Sequence, residues 1–242
     1  MNTTDKVIKK VNSGVNYIIY ILLAVLLLFG GYSIWDMFLV YDGTRLDNEI
    51  LKYRPDDTEE LSLSELQKIN PDIKAWIRVD NTKIDYPIVQ GKDNFEYLNL
   101  DYKRSFSLAG SIFLDYRNNP DFTDKHNILY GHNINGNLMF ADVRAYRFKW
   151  FFDQNKTGHL FTPKTSYKLD IFAYLEVDSY DKNIYNVSYS RKKLSPSVIA
   201  DIKKKAKLYR EVELNENDQI VMLSTCLSDS AIRSIAVAKM IK

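Results

Sequence analysis

Ile220-Val221-Met222-Leu223-Ser224-Thr225-Cys226, the loop Leu227-Ser228-Asp229-Ser230, and then Arg233-Ser234-Ile235-Ala236-Val237-Ala238-Lys239 form the stretch on which the fold turns. A short apolar run bounded by turn residues reads as a buried β-strand. The first strand ends at a thiol, and Arg233 opens the last strand. A side chain at a strand end is fixed by the sheet yet open to a ligand, as a nucleophile must be. Asn127-Ile128-Leu129-Tyr130-Gly131-His132 has the same design, a strand delivering a histidine to its end.

Working outward, six further segments carry strand patterning. They are Ala75 to Val79, Lys83 to Val89, Ser111 to Asp115, His159 to Phe161, Tyr167 to Val177 and, completing the last strand, Ser234 to Ile241. The Asn127 to Tyr130 and Gln219 to Thr225 runs bring the total to eight. Turn residues separate nearly all of them, which predicts an antiparallel-rich barrel or sandwich. Two amphipathic stripes interrupt the strands. Met139, Val143, Tyr146 and Trp150, spaced 4, 3 and 4, predict one helix after Asn137. Ser195-Pro196 is a cap-plus-first-turn signature, and Ile199, Ile202, Ala206 and Tyr209 extend that helix to Tyr209. Ser62-Leu63-Ser64-Glu65 fits a capping box that opens a short helix, stopped by Pro71.

The N-terminus is of another kind. Tyr17 to Trp35 is nineteen residues without a charge. As a helix it spans roughly 28 Å at about 1.5 Å per residue, close to the ~30 Å hydrocarbon core of a bilayer. Tyr17, Tyr20, Tyr32 and Trp35 sit near its ends, where amphipathic rings favour the interface. Lys6, Lys9 and Lys10 precede it, while Asp36, Asp42, Asp47 and Glu49 outnumber Arg45 after it. That asymmetry predicts a cytoplasmic N-terminus and an external bulk. Gly30-Gly31-Tyr32-Ser33 is a poor cleavage site, so an uncleaved anchor is expected rather than a signal peptide. The expected layout is 1–16 cytoplasmic, 17–35 transmembrane signal anchor, 36–62 extracellular stalk broken at Pro55-Asp56-Asp57, and 63–242 a folded domain.

The net charge of +2 resides in the first 35 residues, leaving thirty basic and thirty acidic residues in the remainder. A neutral outer domain has no bulk electrostatic attraction to nucleic acid, so no nucleic-acid partner is expected. There is no Gly-rich phosphate loop, C-x-x-C, H-E-x-x-H or EF-hand pattern, so neither cofactor nor metal is expected.

Cys226 is the only cysteine and cannot form an intrachain disulfide. A free thiol near pKa 8.5 is only a few per cent thiolate at neutral pH, so it needs activation. An adjacent imidazole accepts its proton or stabilises the anion. An arginine offers a donor fork to a carbonyl that becomes an oxyanion. His126 and His159 compete with His132 for the role of base. His126 begins the strand that His132 ends, roughly 20 Å away at about 3.3 Å per residue, so the two cannot share a site. Ser224 lies two residues before Cys226, on the same strand face.

These residues carry a family resemblance. Leu223-Ser224-Thr225-Cys226, with Arg233 and the following Val-Ala-Lys strand, resembles the nucleophile region of the sortases. Asn127 to Asn133 resembles their histidine segment. Asn70-Pro71-Asp72-Ile73 through Trp76-Ile77, Asp85 to Gln90, Asp93 to Leu98 and Ala109 to Arg117 are similar to class B sortases in particular. The resemblance covers about residues 63 to 242. It implies a mainly β fold, a closed eight-stranded barrel with peripheral helices, preceded by an N-terminal transmembrane helix. It implies a cysteine transpeptidase in which Cys226 is nucleophile, His132 general acid/base and Arg233 the group that holds the carbonyl oxygen. Asn94, Leu98 and Ser224 fall at positions near the substrate groove. The implied partners are secreted proteins bearing a C-terminal sorting signal, a peptidoglycan-precursor amine acceptor, and membrane lipid around the anchor. Only six residues separate Cys226 from Arg233, fewer than is usual in the class; no later arginine exists to take the role. Two other readings use the same residues differently: an anchored cysteine peptidase that releases product to water, and a non-catalytic surface binding domain.

Overall fold

The computed structural model describes residues 3–55, 63–226 and 231–242. They form two compact units, Met1–Asp42 and Gly43–Lys242.

The first is a single helix, α1 (Thr3–Gly43), which contains the whole uncharged segment 17–35. It is long and apolar enough to cross a membrane. Ile18, Ile19, Tyr20 and Ile21, four consecutive residues spread around the helix, are all exposed, the pattern of a helix meant for an apolar surround. Ser33 donates its hydroxyl back to the Phe29 carbonyl at 2.9 Å, so no bare polar group is left on that surface there.

The second unit is a closed barrel. β1 (Ile73–Val79) turns into β2 (Asp85–Val89), and Asn81 takes the left-handed conformation that the turn requires, φ 58°. β2 pairs in parallel with β3 (Ile112–Leu114), and β3 antiparallel with β4 (His126–Tyr130). The small hairpin β5 (Asn133–Ile134) and β6 (Leu138–Met139) follows. β7 (Thr157–Phe161) pairs with β1 on one side and with the thirteen-residue β8 (Ser166–Asp178) on the other. The second half of β8 takes β9 (Ala206–Tyr209) on that same edge. β10 (Gln219–Cys226) inserts between β4, parallel, and β11 (Ile232–Ile241), antiparallel. β11 then pairs with β8 and closes eight strands on themselves. β4 and β10 are buried on both faces, which explains their unbroken apolar runs in place of alternation.

Helices fill the periphery. α2 (Asn48–Leu51) is capped by Asp47, whose Oδ1 accepts from the Glu49 and Ile50 amides, and the cap drives Ile50 fully into the core. The compact unit therefore begins inside the segment expected to be stalk. α3 (Leu63–Ile69) runs up to Asn70-Pro71; its proposed cap Ser62, like Asp56 and Asp57 of the expected break, lies outside the described residues.

Two helix expectations differ from what is found. The stripe after Asn137 is not one helix. Met139 belongs to β6 with φ 55°, and α4 (Ala141–Ala145) and α5 (Lys149–Gln154) follow separately. Trp150 is 61 % exposed, while Phe151 and Phe152 go inward and meet Tyr146 edge-on at 5.0 and 6.4 Å. The second helix, α6 (Pro196–Lys205), stops four residues early, because Ala206 to Tyr209 instead satisfy the free edge of β8. Tyr209 still packs inward, edge-on to Phe172 at 5.9 Å.

His126 lies at the start of β4, wholly buried, with Nε2 3.3 Å from the Met222 sulfur. Burial pushes its imidazole pKa down to about 4. Folding thus holds it neutral where the unfolded chain would protonate it. Its contribution to stability is complete above the unfolded pKa of ~6.5 and is lost as pH falls toward the folded value of ~4. Urea unfolding near neutrality and near pH ~4.5 is expected to differ by an extra 2–3 kcal/mol, roughly, in the parent relative to His126→Leu. Identical pH dependence in the two proteins would contradict this.

Candidate active site

The parallel pairing of β4 with β10 decides where the chemistry sits. Tyr130 stands opposite Ser224, and the Gly131 amide adds one more ladder bond to the Ser224 carbonyl at 3.2 Å. Both strands therefore run out at the same rim of the barrel. Cys226, the last residue of β10, faces Arg233 across the antiparallel β10–β11 ladder. The backbone register thus gathers the three residues singled out from sequence: His132 beyond the end of β4, Cys226 at the end of β10, and Arg233 at the start of β11. The connecting loop, residues 227–230, lies outside the described residues.

His132, Thr225 and Arg233 line a cleft of about 500 Å³ at this rim, together with Asn94, Leu98 and Ser224. Tyr130 and Tyr185 contribute to its surface, while Phe95 and Tyr116 are exposed around it. All the described candidates from sequence are therefore brought to one place. His126 is inside the barrel. His159 is on β7, stacked on Phe161 at 5.8 Å and 4.0 Å from Asp80, and takes no part in the cleft.

His132 is held from several directions. Its ring Nε2 lies 2.9 Å from the Leu98 carbonyl oxygen. A carbonyl only accepts, so Nε2 carries the hydrogen and Nδ1 is the basic nitrogen of the neutral ring. Its own carbonyl accepts from the Phe140 amide at 2.9 Å, anchoring it to the β5–β6 hairpin. Gly131 is required beside it, since a Cβ there would strike Ile112 and the Phe140 ring. Gly110 supports the arrangement from behind. It sits at φ +59°, and a Cβ would come within 2.5 Å of the Leu98 carbonyl oxygen that orients the imidazole.

The remaining candidates already serve one another. Asn94 donates to Asp115 at 2.9 Å and accepts from the Tyr116 amide at 3.0 Å. Ser224 is 1 % exposed, its hydroxyl 3.0 Å from that of Tyr185. Thr225, buried next to the thiol in sequence, has a hydroxyl with no partner among the described residues. Sequence reading assigned no role to Tyr130, Asp115 or Arg117, and took Tyr185 only as part of the loop between Val177 and Ser195, a candidate groove wall. The one available signal was Asp115-Tyr116-Arg117, an acid and a base two apart just after a strand. Among the described residues no group of three or more His, Cys, Asp or Glu is placed to hold a metal ion.

Comparison with known proteins gives a consistent answer. No protein-family model matches the chain. The chain is 30 % identical over 235 residues to Sortase B of Staphylococcus aureus (strain NCTC 8325 / PS 47), covering 93 % of this chain and 96 % of that one. Among solved structures, Spy0129, a Streptococcus pyogenes class B sortase involved in pilus biogenesis, superposes with a TM-score of 0.68 at 36 % identity. That match covers 74 % of this chain and 98 % of the other. A sortase B complexed with triglycine superposes with a TM-score of 0.66 at 32 % identity, covering 74 % and 85 %.

Gly110→Ala tests the support of His132. It is expected to cost roughly 1–2 kcal/mol from the left-handed backbone alone. It should also move the nitrogen NMR resonances of the His132 ring by displacing the Leu98 carbonyl. Unmoved resonances in the folded variant would show that Leu98 does not fix the imidazole.

Proposed function

The chain belongs to the class B sortases, cysteine transpeptidases that anchor proteins to the cell wall, and from that premise we propose how its own residues divide the work. Cys226 is the nucleophile, His132 the proton carrier and Arg233 the carbonyl clamp. What carries this reading is the register that sets Cys226 opposite Arg233 on one side and beside the strand leading to His132 on the other.

The thiol gives its proton to His132 Nδ1, and the sulfur attacks the carbonyl carbon of a peptide bond in the sorting signal. The carbonyl oxygen gains negative charge, which the Arg233 fork stabilises. The C–N bond breaks, the leaving amine takes the proton from His132, and a thioester remains on Cys226. An incoming amine attacks that thioester, loses a proton to His132, and departs as the new amide while the thiol is restored. Leu98 contributes its carbonyl to orient His132, the part a carboxylate plays in other triads. Asn94, Leu98 and Ser224 line the groove for the signal peptide. The triglycine bound by the similar sortase B supports a glycine-type amine as acceptor for this chain.

The same proposal extends to location. Residues 17–35 anchor the enzyme, residues 1–16 stay in the cytoplasm, and the barrel works outside, where secreted proteins and wall-precursor amines meet. The basic residues before the span and the acidic excess after it support that orientation. Protease treatment of intact protoplasts should leave only a short N-terminal fragment protected. A protected barrel would reverse the topology.

Mass spectrometry of products from a sorting-peptide library, with and without triglycine, tests the chemistry. The parent should form a peptide–triglycine amide at the expense of hydrolysis. Cys226→Ala and His132→Ala should each abolish turnover or lower it by several orders of magnitude, with His159→Ala near the parent. Arg233→Lys keeps the charge but loses the planar fork, and should lose about 10²–10³ in rate. Hydrolysis indifferent to every amine would favour a peptidase. Near-parent kinetics for Arg233→Lys would remove the arginine from the carbonyl.

A further inference from the structure

One buried carboxylate ties the cleft together. Asp115, immediately after β3, is 0 % exposed, and its two oxygens accept five hydrogen bonds. Oδ1 accepts from the Arg117 amide at 3.0 Å and from Arg117 Nε at 2.8 Å. Oδ2 accepts from Arg117 Nη2 at 2.7 Å, Asn94 Nδ2 at 2.9 Å and the Tyr130 hydroxyl at 3.0 Å. Burial alone would push this carboxyl up, but the hydrogen bonds from Arg117 and Asn94 and the Arg117 charge together outweigh it and hold the pKa below the usual value.

The donors come from different parts of the cleft. Asn94 belongs to the segment that ends at Leu98, whose carbonyl orients His132. Tyr130 ends β4, two residues before His132. Arg117 reaches beyond the carboxylate, and Nη2 also donates to the Tyr185 carbonyl at 3.0 Å, in the loop between β8 and α6. Tyr185 in turn stacks on Tyr130, centroids 6.3 Å apart, and its hydroxyl meets Ser224. A buried ion pair is poor evidence of a device for stability, because apolar replacements often stabilise as well. Here nearly every atom the pair holds belongs to a residue that lines the cleft.

The geometry points to Asp115 and Arg117 as a positioning pair that sets the width of the sorting-peptide groove by fastening the Asn94–Leu98 wall, the Tyr130 floor and the Tyr185 wall to one carboxylate. This rests on the cleft being the sorting-peptide groove. Neither residue touches the reacting atoms. Their work is to order the walls beforehand, so that the peptide does not bear that cost on binding.

Asp115→Asn tests it. The amide is isosteric, but whichever way it turns, an NH₂ faces donors that formerly met an oxygen. In the full-length enzyme, KM for a turned-over sorting peptide should rise on the order of tenfold, the loss of a charge-assisted hydrogen-bond network. kcat and the alkylation rate of Cys226 by a small neutral reagent should stay within about twofold, since only wall order has changed. If Asp115→Asn does not fold, Arg117→Lys carries the same test. It keeps a charge near Asp115 but cannot hold the carboxylate and the Tyr185 carbonyl together, and it should show the same rise in KM. Parent-like KM in the folded variant would overturn the inference. So would kcat and alkylation falling together at unchanged KM. A parent that turns over no sorting peptide fails the groove reading itself, and the inference falls with it; a variant that matches an active parent sinks the inference alone.

Discussion

The site depends on β4 and β10 running in the same direction. In an antiparallel pair the two strands would end at opposite rims, and a histidine carried past one end could never face a thiol carried to the other. Parallel neighbours share a rim, and the pairing of Tyr130 with Ser224 fixes the offset to the residue. The arrangement has a topological consequence. Parallel strands need a long crossover rather than a tight turn, and here the chain leaves β4 at Tyr130 and does not return until Gln219. That excursion supplies β7 and β8, two of the eight barrel strands, and β9 on the edge of β8, and it also supplies Tyr185 to the cleft. One directional constraint thus produces the closed sheet, the common rim and one wall of the groove.

The second constraint is that the His132 imidazole is held by a main-chain group rather than by another titrating side chain. Leu98 orients His132 through its carbonyl, and that carbonyl is in place because Gly110 lets the chain pass close behind it. Backbone held by a closed barrel moves less than a long side chain, so the imidazole gains a fixed tautomer without a further titrating partner. A carboxylate in that position would have to be desolvated beside the thiol. The acidic group is kept instead at Asp115, saturated with donors and away from the reacting sulfur in sequence and register.

Eight strands were legible because each is an apolar or alternating run between turn residues, and the strand end at Cys226 and the strand leading to His132 were legible for the same reason. β9 was not. Ala206 to Tyr209 continues a helical stripe, and only the open edge of β8 makes it a strand. The single helix expected after Asn137 failed because positive φ at Asn137 and Met139 delays its start and extended backbone at Phe148 splits the rest, and periodicity registers neither. In the cleft, residue types with chemistry of their own stood out. The network around Asp115 did not: Asp115 and Arg117 are two apart, but the cleft residues they hold lie 15 to 68 positions from them along the chain and are joined only when the barrel closes.

The same network governs what the groove has left to offer a ligand. Asn94 uses one amide hydrogen on Asp115 and one lone pair on Tyr116. The Ser224 hydroxyl is occupied by Tyr185, and Tyr130 spends its hydroxyl on Asp115. Polar groups so engaged are costly to redirect, because each partner abandoned in the interior would be left unsatisfied. On the proposed reading, a peptide bound in this cleft would meet walls whose hydrogen bonds are largely committed. Among the described residues, the Thr225 hydroxyl has no hydrogen-bond partner, and it is buried. Under that proposal discrimination would fall mainly on shape: on the spacing of Leu98, Tyr130 and Tyr185, and on how rigidly that spacing is kept. A peptide groove of this construction would select by fit, because its polar groups are spent on holding the fit constant.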